Sequence, residues 1–377
     1  MNMRIPLSAP DITQAEIDAV TAVLRTPHLC FGPELTAFEA ALAHYHSVDD
    51  AVAVSSGTAG LHLALVALGV GEGNEVIVPS FAFIAVANTV RQVRAVPVFA
   101  EIDPLTLNLD PASVENAITQ RTRAILVVHT FGVPAEMDTL QAIARKHGLA
   151  LIEDACEAIG AEFDGRRVGS FGDMAVLGFY PNKQITTGEG GAVLCNDASH
   201  ASRLRSLRNQ GRAGAGWLDH AEPGFNYRLS DMACAVGRVQ LGRIDEILAL
   251  RAQAAGRYDA LMRNVLGDIR GLELPLLELP QRRLSWFVYV VRLPEGVDRE
   301  QMQAATAREG IATGRYFAPL HQQQAYRGAP GAASQSLAVT EQIAPRMLAL
   351  PFFNRITPCE QEVVAGALYK AIMNAPQ

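Results

Sequence analysis

Lys183 stands in the middle of Phe179-Tyr-Pro-Asn-Lys-Gln-Ile-Thr-Thr-Gly-Glu-Gly-Gly191, a polar, glycine-punctuated loop between two apolar runs, Met174–Phe179 and Gly191–Leu194. Each run reads as a buried strand. An amine held between buried strands loses part of the hydration that stabilises its charge, and the neutral amine is the form that adds to an aldehyde or ketone. A Schiff-base role is one reading of Lys183; a surface lysine beside an ordinary turn is the other. Three further places carry chemistry. Ser55-Ser-Gly-Thr-Ala59 follows an apolar strand and opens a helix, so its free backbone N–H groups and hydroxyls offer a phosphate seat, although the same residues also make a common strand-to-helix turn. Pro79-Ser-Phe-Ala-Phe83 follows the next strand and can lay an aromatic ring over a flat ligand, or simply pack a core. Glu153-Asp-Ala-Cys-Glu157 sets carboxylates at a strand end, where Asp154 can pair with a protonated ring nitrogen; singly, such carboxylates are often helix caps or ion-pair partners.

The combination is more specific than its parts. A phosphate seat, a stacking aromatic, a strand-end aspartate and a loop lysine describe a pocket for pyridoxal 5'-phosphate, which needs an amine for its aldehyde, an acid partner for its ring nitrogen and donors for its phosphate. A dinucleotide site is not indicated, because no G-x-G-x-x-G follows a strand and Gly69-Val-Gly-Glu-Gly73 precedes one. No P-loop is present.

The elements that must position these residues alternate. Apolar strands are expected at Ala51–Val54, Val76–Val78, Val96–Phe99, Ala124–Val128, Leu149–Ile152, Met174–Phe179 and Gly191–Leu194, with helices such as Ala59–Leu68, Pro111–Thr119 and Met137–His147 between them. Helical crossovers imply a mostly parallel α/β sheet covered on both faces, with ligands collecting beyond the carboxyl ends of its strands. The connection through Lys183 holds no helix, so one strand there should be antiparallel or irregular. Two helices, Ile12–Leu24 and Pro33–Tyr45, should lie outside the sheet. Ser230 to Arg263 reads as one long helix with a bend at Gly242, followed by a strand at Trp286–Leu293, a helix at Arg299–Glu309 and an apolar stretch at Met347–Pro351. The division expected is a large domain over 1–245 and a smaller C-terminal α/β domain over 246–377.

Composition sets the outer bounds. The chain has 377 residues, 49% hydrophobic and 19% charged, more than one core usually absorbs. Its net charge of -7 argues against broad binding to nucleic acid or acidic membranes and suits a cytoplasmic protein. The five cysteines, Cys30, Cys156, Cys195, Cys234 and Cys359, show no metal-ligand spacing and read as buried thiols in a reducing compartment. The stretch Met1–Pro6 lacks an apolar signal core, and Ala51–Gly71 is too interrupted to span a membrane.

The stretches Ser55–Ala59, Ile77-Val-Pro-Ser-Phe81, Ile152-Glu-Asp-Ala155, Pro181–Gly191 and Gly224-Phe-Asn-Tyr-Arg-Leu-Ser-Asp231 closely resemble the DegT/DnrJ/EryC1/StrS aminotransferases, nearly end to end. The resemblance implies a fold-type I pyridoxal-phosphate transferase that moves an amino group, with L-glutamate the donor it suggests, onto a nucleotide-linked keto-deoxysugar for amino-sugar, polysaccharide or glycoside synthesis. It implies Lys183 as the Schiff-base lysine, Asp154 as the ring-nitrogen partner, Phe83 as the stacking ring, and Gly57 and Thr58, with Ser56, in the phosphate cup. In a homodimer with shared sites, Asn226 reaches the neighbouring subunit's cofactor phosphate and Arg228 assists. Tyr316 and His321 resemble part of a substrate loop. Two departures stand out: Glu157 replaces a glutamine or histidine common beside the cofactor's phenolic oxygen, and Gly178 replaces a phosphate-binding serine. His129 follows the fourth strand with no assigned role. Arg203, Arg205, Arg208 and Arg212 form either an anion site or a solvated helix face. A sugar dehydratase, which carries histidine at the lysine position, a non-catalytic relative and an amino-acid aminotransferase are the competing readings.

Overall fold

The computed structural model describes residues 4–212, 218–267, 269–328 and 336–374, so Met1–Met3 of the N-terminal stretch lie outside it. In chain order, the first half runs α1 (Gln14–Leu24), α2 (Pro33–His46), β1 (Asp50–Val54), α3 (Gly57–Ala67), β2 (Glu75–Pro79), α4 (Ala85–Gln92), β3 (Val96–Ala100), α5 (Pro111–Ala117), β4 (Thr122–Val128), α6 (Met137–His147), β5 (Ala150–Asp154), β6 (Met174–Gly178) and β7 (Gly191–Cys195). All seven strands join one sheet in the order β1-β7-β6-β5-β4-β2-β3. Strands β2 to β6 pair in parallel, with helical crossovers α4, α5 and α6 between β2 and β5 and a helix-free excursion over residues 155–173 between β5 and β6. Strand β7 runs antiparallel to both neighbours, because residues 179–190 hold no crossover and can only turn the chain back. Alternate residues feed opposite faces: Val52 and Val54 of β1 enter one core with Leu61 and Leu63 of α3, while Ala51 and Ala53 enter another with Phe38 and Leu42 of α2. This double burial is why the strands read as continuous apolar runs.

After α7 (Ala198–Arg208), α8 (Asp231–Gly242) and α9 (Ile244–Leu266) are separate helices with Arg243 between them, where the periodicity suggested one bent helix. Strands β8 (Tyr289–Arg292) and β9 (Met347–Leu350) pair antiparallel, flanked by α10 (Arg299–Arg308), α11 (Ala338–Ile343) and α12 (Pro358–Met373). Strand β8 begins later than the apolar run because Trp286 has φ 52°, which breaks the extended backbone. Tyr258, Met262, Tyr289, Leu348 and Leu368 share a core here, joined by Ile5 from the start of the chain. All five cysteines are unpaired, but Cys30 and Cys359 are exposed, against the expectation of buried thiols throughout. No helix among the described residues is long and apolar enough to cross a membrane.

A buried polar knot fixes the chain beyond β5. Glu153 accepts the backbone N–H groups of Gly169, Phe171 and Gly172, each at 2.7 Å, and lies 3.0 Å from His129 Nε2. Burial opposes its charge, but the imidazole and the amides outweigh burial and hold the carboxyl below its usual range. His129 is thereby a structural residue, its Nδ1 accepting the Ala135 N–H at 3.1 Å. Nearby, fully buried His46 has Nδ1 3.0 Å from the Val168 carbonyl and no partner for Nε2. Burial pushes its pKa from 6.5 to about 4.

An unfolded chain therefore binds a proton at His46 that the folded one refuses, and folding should lose stability as pH falls from 6.5 toward 4. The loss is about 3 kcal/mol across that window. Urea denaturation at pH 7.5 and 4.5 should show it, and His46→Gln should lose distinctly less than the parent chain on the same acidification.

Candidate active site

The carboxyl ends of β1, β5 and β6 meet around a cavity of about 500 Å³. Its floor at one end is the start of α3. Ser56 is the N-cap, with extended backbone and Oγ accepting the Ala59 N–H at 3.0 Å, and the first N–H groups of the helix, at Gly57 and Thr58, have no partner within it. A Cβ at Gly57 would fall 2.7 Å from Cys156 Sγ, and one at Gly191 would fall 2.6 Å from the Ser56 carbonyl carbon and 2.7 Å from the Gly57 nitrogen. Glycine at both positions keeps a backbone-lined anion seat open. Gly178 belongs to the same packing, since a Cβ there would lie 3.1 Å from both Cβ and Sγ of Cys156. Any side chain at 178 would press on this cysteine.

Asp154, the last residue of β5, faces the cavity, buried, with Oδ1 accepting the Cys156 N–H at 3.0 Å. Lys183 enters from the loop between β6 and β7, which folds on itself: Phe179 N–H donates to the Gly190 carbonyl and Lys183 N–H to the Tyr180 carbonyl, both at 2.9 Å, and Thr187 N–H to the Phe179 carbonyl at 3.0 Å. Gln184 then ties the loop outward, donating to the Glu157 carbonyl at 2.6 Å and to Ser285 Oγ at 3.0 Å. Lys183 Nζ ends 3.5 Å from Glu157 Oε1 and 4.0 Å from the centroid of the Phe287 ring. Glu157 Oε2 accepts the Phe131 N–H at 3.0 Å. Burial lifts the Glu157 carboxyl above its usual range, against the pull of Lys183 and the Phe131 amide.

Ser56, Gly57, Thr58, Phe83, Asp154, Glu157, Lys183 and Tyr316 all line this cavity. Phe83 sits on its rim, 59% exposed, with its ring free to cover a ligand. Tyr316 accepts a hydrogen bond from Asn182 Nδ2 at 3.3 Å. His321 does not reach the cavity: Nδ1 lies 2.6 Å from Ser80 Oγ and Nε2 2.9 Å from Glu341, so both ring nitrogens are engaged elsewhere. Asn226 is exposed and bridges to Asn209, whose side chain also accepts from Arg228 at 3.0 Å; neither residue lines the cavity of its own chain. The arginines of α7 are taken up structurally, Arg203 by Glu222, Arg205 by Asp50 and Arg208 by Glu39. Phe287, Phe317 and Asn182 are wall residues that sequence reasoning gave no role. Asn182 adjoins the lysine and was within reach of such reasoning; the two phenylalanines come from distant segments.

These residues fit pyridoxal phosphate. The open helix start suits the phosphate, Asp154 an acidic ring nitrogen, Phe83 a ring face and Lys183 the aldehyde, and the backbone cradle at Gly57 and Gly191 is one that any Cβ would close. Among the described residues no group of histidine, cysteine and carboxylate side chains could hold a metal ion.

Comparison with known proteins agrees. The model of the DegT/DnrJ/EryC1/StrS aminotransferase family matches residues 10–369. A GDP-perosamine synthase of Caulobacter vibrioides is 39% identical over 98% of this chain and 99% of its own length. Among solved structures, DesV of S. venezuelae, in complex with a ketimine intermediate, is 37% identical over 98% of each chain with a TM-score of 0.88. The aminotransferase TlmJ of Streptoalloteichus hindustanus is 32% identical over 98% of this chain and 99% of that one, with a TM-score of 0.91.

The close approach at Gly191 makes a direct check. Gly191→Ala should destabilise the fold by about 1–3 kcal/mol through overpacking against the α3 start, read by urea unfolding, and should weaken retention of the coloured cofactor on dialysis.

Proposed function

The chain belongs to the DegT/DnrJ/EryC1/StrS aminotransferase family and is a pyridoxal-phosphate-dependent sugar aminotransferase; from that premise we propose that it carries an amino group from L-glutamate to a nucleotide-linked keto-deoxysugar. The observation that carries the reading is Lys183, lining one cavity with Asp154 and the open α3 start. The similarity to the Caulobacter GDP-perosamine synthase supports a nucleotide-bound amino sugar as product. The dehydratase reading loses its ground, because lysine and not histidine occupies the loop.

The geometry supports a division of labour. Ser56, Gly57 and Thr58 hold the phosphate through N–H groups and hydroxyls, and Phe83 covers one ring face. Asp154 keeps a proton at the ring nitrogen. The cofactor, when bound, supplies an electron sink that acidifies the donor's α-carbon. Lys183 Nζ, once free, is the base that takes that proton and returns it on the far side of the transfer. Tyr316 and Asn182 line the approach and orient the sugar. Water is excluded on the inner side by Phe287 and Phe317.

Two copies share each site. Asn226 and Arg228 lie outside the cavity of their own chain, and in a cytoplasmic homodimer they complete the phosphate seat of the other copy.

Lys183→Ala should abolish the visible absorption band of the bound cofactor and lower turnover by on the order of 10³-fold or more. Mass spectrometry of products from a panel of nucleotide keto-sugars with glutamate identifies the acceptor. Full turnover surviving in Lys183→Ala would end the assignment.

A further inference from the structure

We propose that Glu157 takes up a proton when the cofactor captures Lys183, so that cofactor affinity depends on pH through this one carboxyl. The proposal rests on pyridoxal phosphate binding at Lys183 and goes on to the protonation of a neighbouring side chain. The Glu157 side chain is only 7% exposed, and its two oxygens meet different partners: Oε2 accepts the Phe131 N–H, and Oε1 faces Lys183 Nζ at 3.5 Å. The groups around it are Lys183 from the loop, Asp154 and Cys156 from its own segment, and the Tyr316 hydroxyl and Phe287 ring from the C-terminal layer. Lys183 is the cation among them. Burial and Asp154 both favour the neutral carboxyl, and Lys183 is the main influence against them.

Capture removes that influence as a point charge. Lys183 gives up one proton and adds as the neutral amine; its nitrogen forms a double bond to the aldehyde carbon, the aldehyde oxygen leaves as water with the two amine protons, and the proton first given up returns to the nitrogen. The remaining positive charge is delocalised into the ring, and the phosphate brings negative charge into the same cavity. A carboxylate beside it is then under-compensated in a poorly hydrated place, and it takes one proton from solvent. The ring hydroxyl of pyridoxal phosphate flanks the aldehyde opposite the phosphate arm. With the arm at the α3 start, that hydroxyl would face the Lys183 side of the cavity, where a protonated Glu157 could donate to its oxygen. A glutamine here donates at every pH; Glu157 donates only while protonated.

The sign follows from linkage. The loaded protein binds one proton more than the empty one between the two titration points of Glu157, so the dissociation constant rises with pH in that interval, by about tenfold per unit relative to a variant that cannot titrate. The test is calorimetric titration of pyridoxal phosphate into cofactor-stripped enzyme, wild type and Glu157→Gln, from pH 6 to 9 in pairs of buffers with different ionisation heats. The expected result is additional proton uptake by wild type, at most one, and a wild-type to Glu157→Gln ratio of dissociation constants that climbs with pH wherever that uptake is seen. Equal proton counts with both proteins binding would overturn the proposal, whereas failure of wild type to bind at all would overturn the site reading beneath it. Infrared difference spectra of wild type alone keep the question open to refutation if Glu157→Gln does not fold. A protonated-carboxyl C=O stretch must appear on cofactor addition, and its absence overturns the proposal.

Discussion

One reversed strand in a parallel sheet decides where Lys183 can be. Strands β6 and β7 pair antiparallel from Met174 opposite Cys195 to Gly178 opposite Gly191, so both ends of the intervening loop are clamped at the carboxyl edge of the sheet. Gly191 then lies against the backbone of Ser56 and Gly57, which joins the loop's far end to the anion seat. A crossover helix in this place would have carried the lysine to an outer face. The return strand instead holds an amine, a helix start and the end of β5 within one cavity, and only main-chain pairing is needed to do it. Glu157, Phe287 and Asp154 act on a lysine whose position is already fixed.

The same constraint explains what was legible in the sequence. Seven buried strands show as apolar runs because each is covered on both faces, and the chemistry-bearing residues come directly after those runs, so Ser56–Thr58, Asp154 and Lys183 could be placed before any coordinates. The missing helix between β6 and β7 gave away the antiparallel strand. Phe287 was out of reach. Its place depends on Trp286 at φ 52° and on Arg251, a fully buried arginine whose guanidinium donates to the carbonyls of both Trp286 and Phe287 at 2.6 Å and to Asn354 Oδ1 at 2.6 Å. No local pattern encodes a contact between α9, the segment before β8 and the segment after β9. The placement of His321 outside the cavity was hidden for a related reason. Nearness to Tyr316 along the chain suggested a shared role, but the chain turns after Phe317 and presents the imidazole to Ser80 and Glu341.

Cys156 shows how a departure from the family pattern can be a single packing solution. A Cβ at Gly57 would fall 2.7 Å from its Sγ and one at Gly178 3.1 Å, so the cysteine at 156 and the glycines at 57 and 178 belong to one packing arrangement. With glycine at 178 that position offers no hydroxyl, and the anion seat rests on the helix N–H groups and dipole together with Ser56 and Thr58. A thiol beside a reactive aldehyde would be a hazard if it ionised, because the thiolate is the nucleophile. Burial, with Asp154 and Glu157 adding to it against the weaker pull of Lys183, pushes the Cys156 thiol well up. It therefore packs as a neutral apolar atom, and the aldehyde is left to the amine.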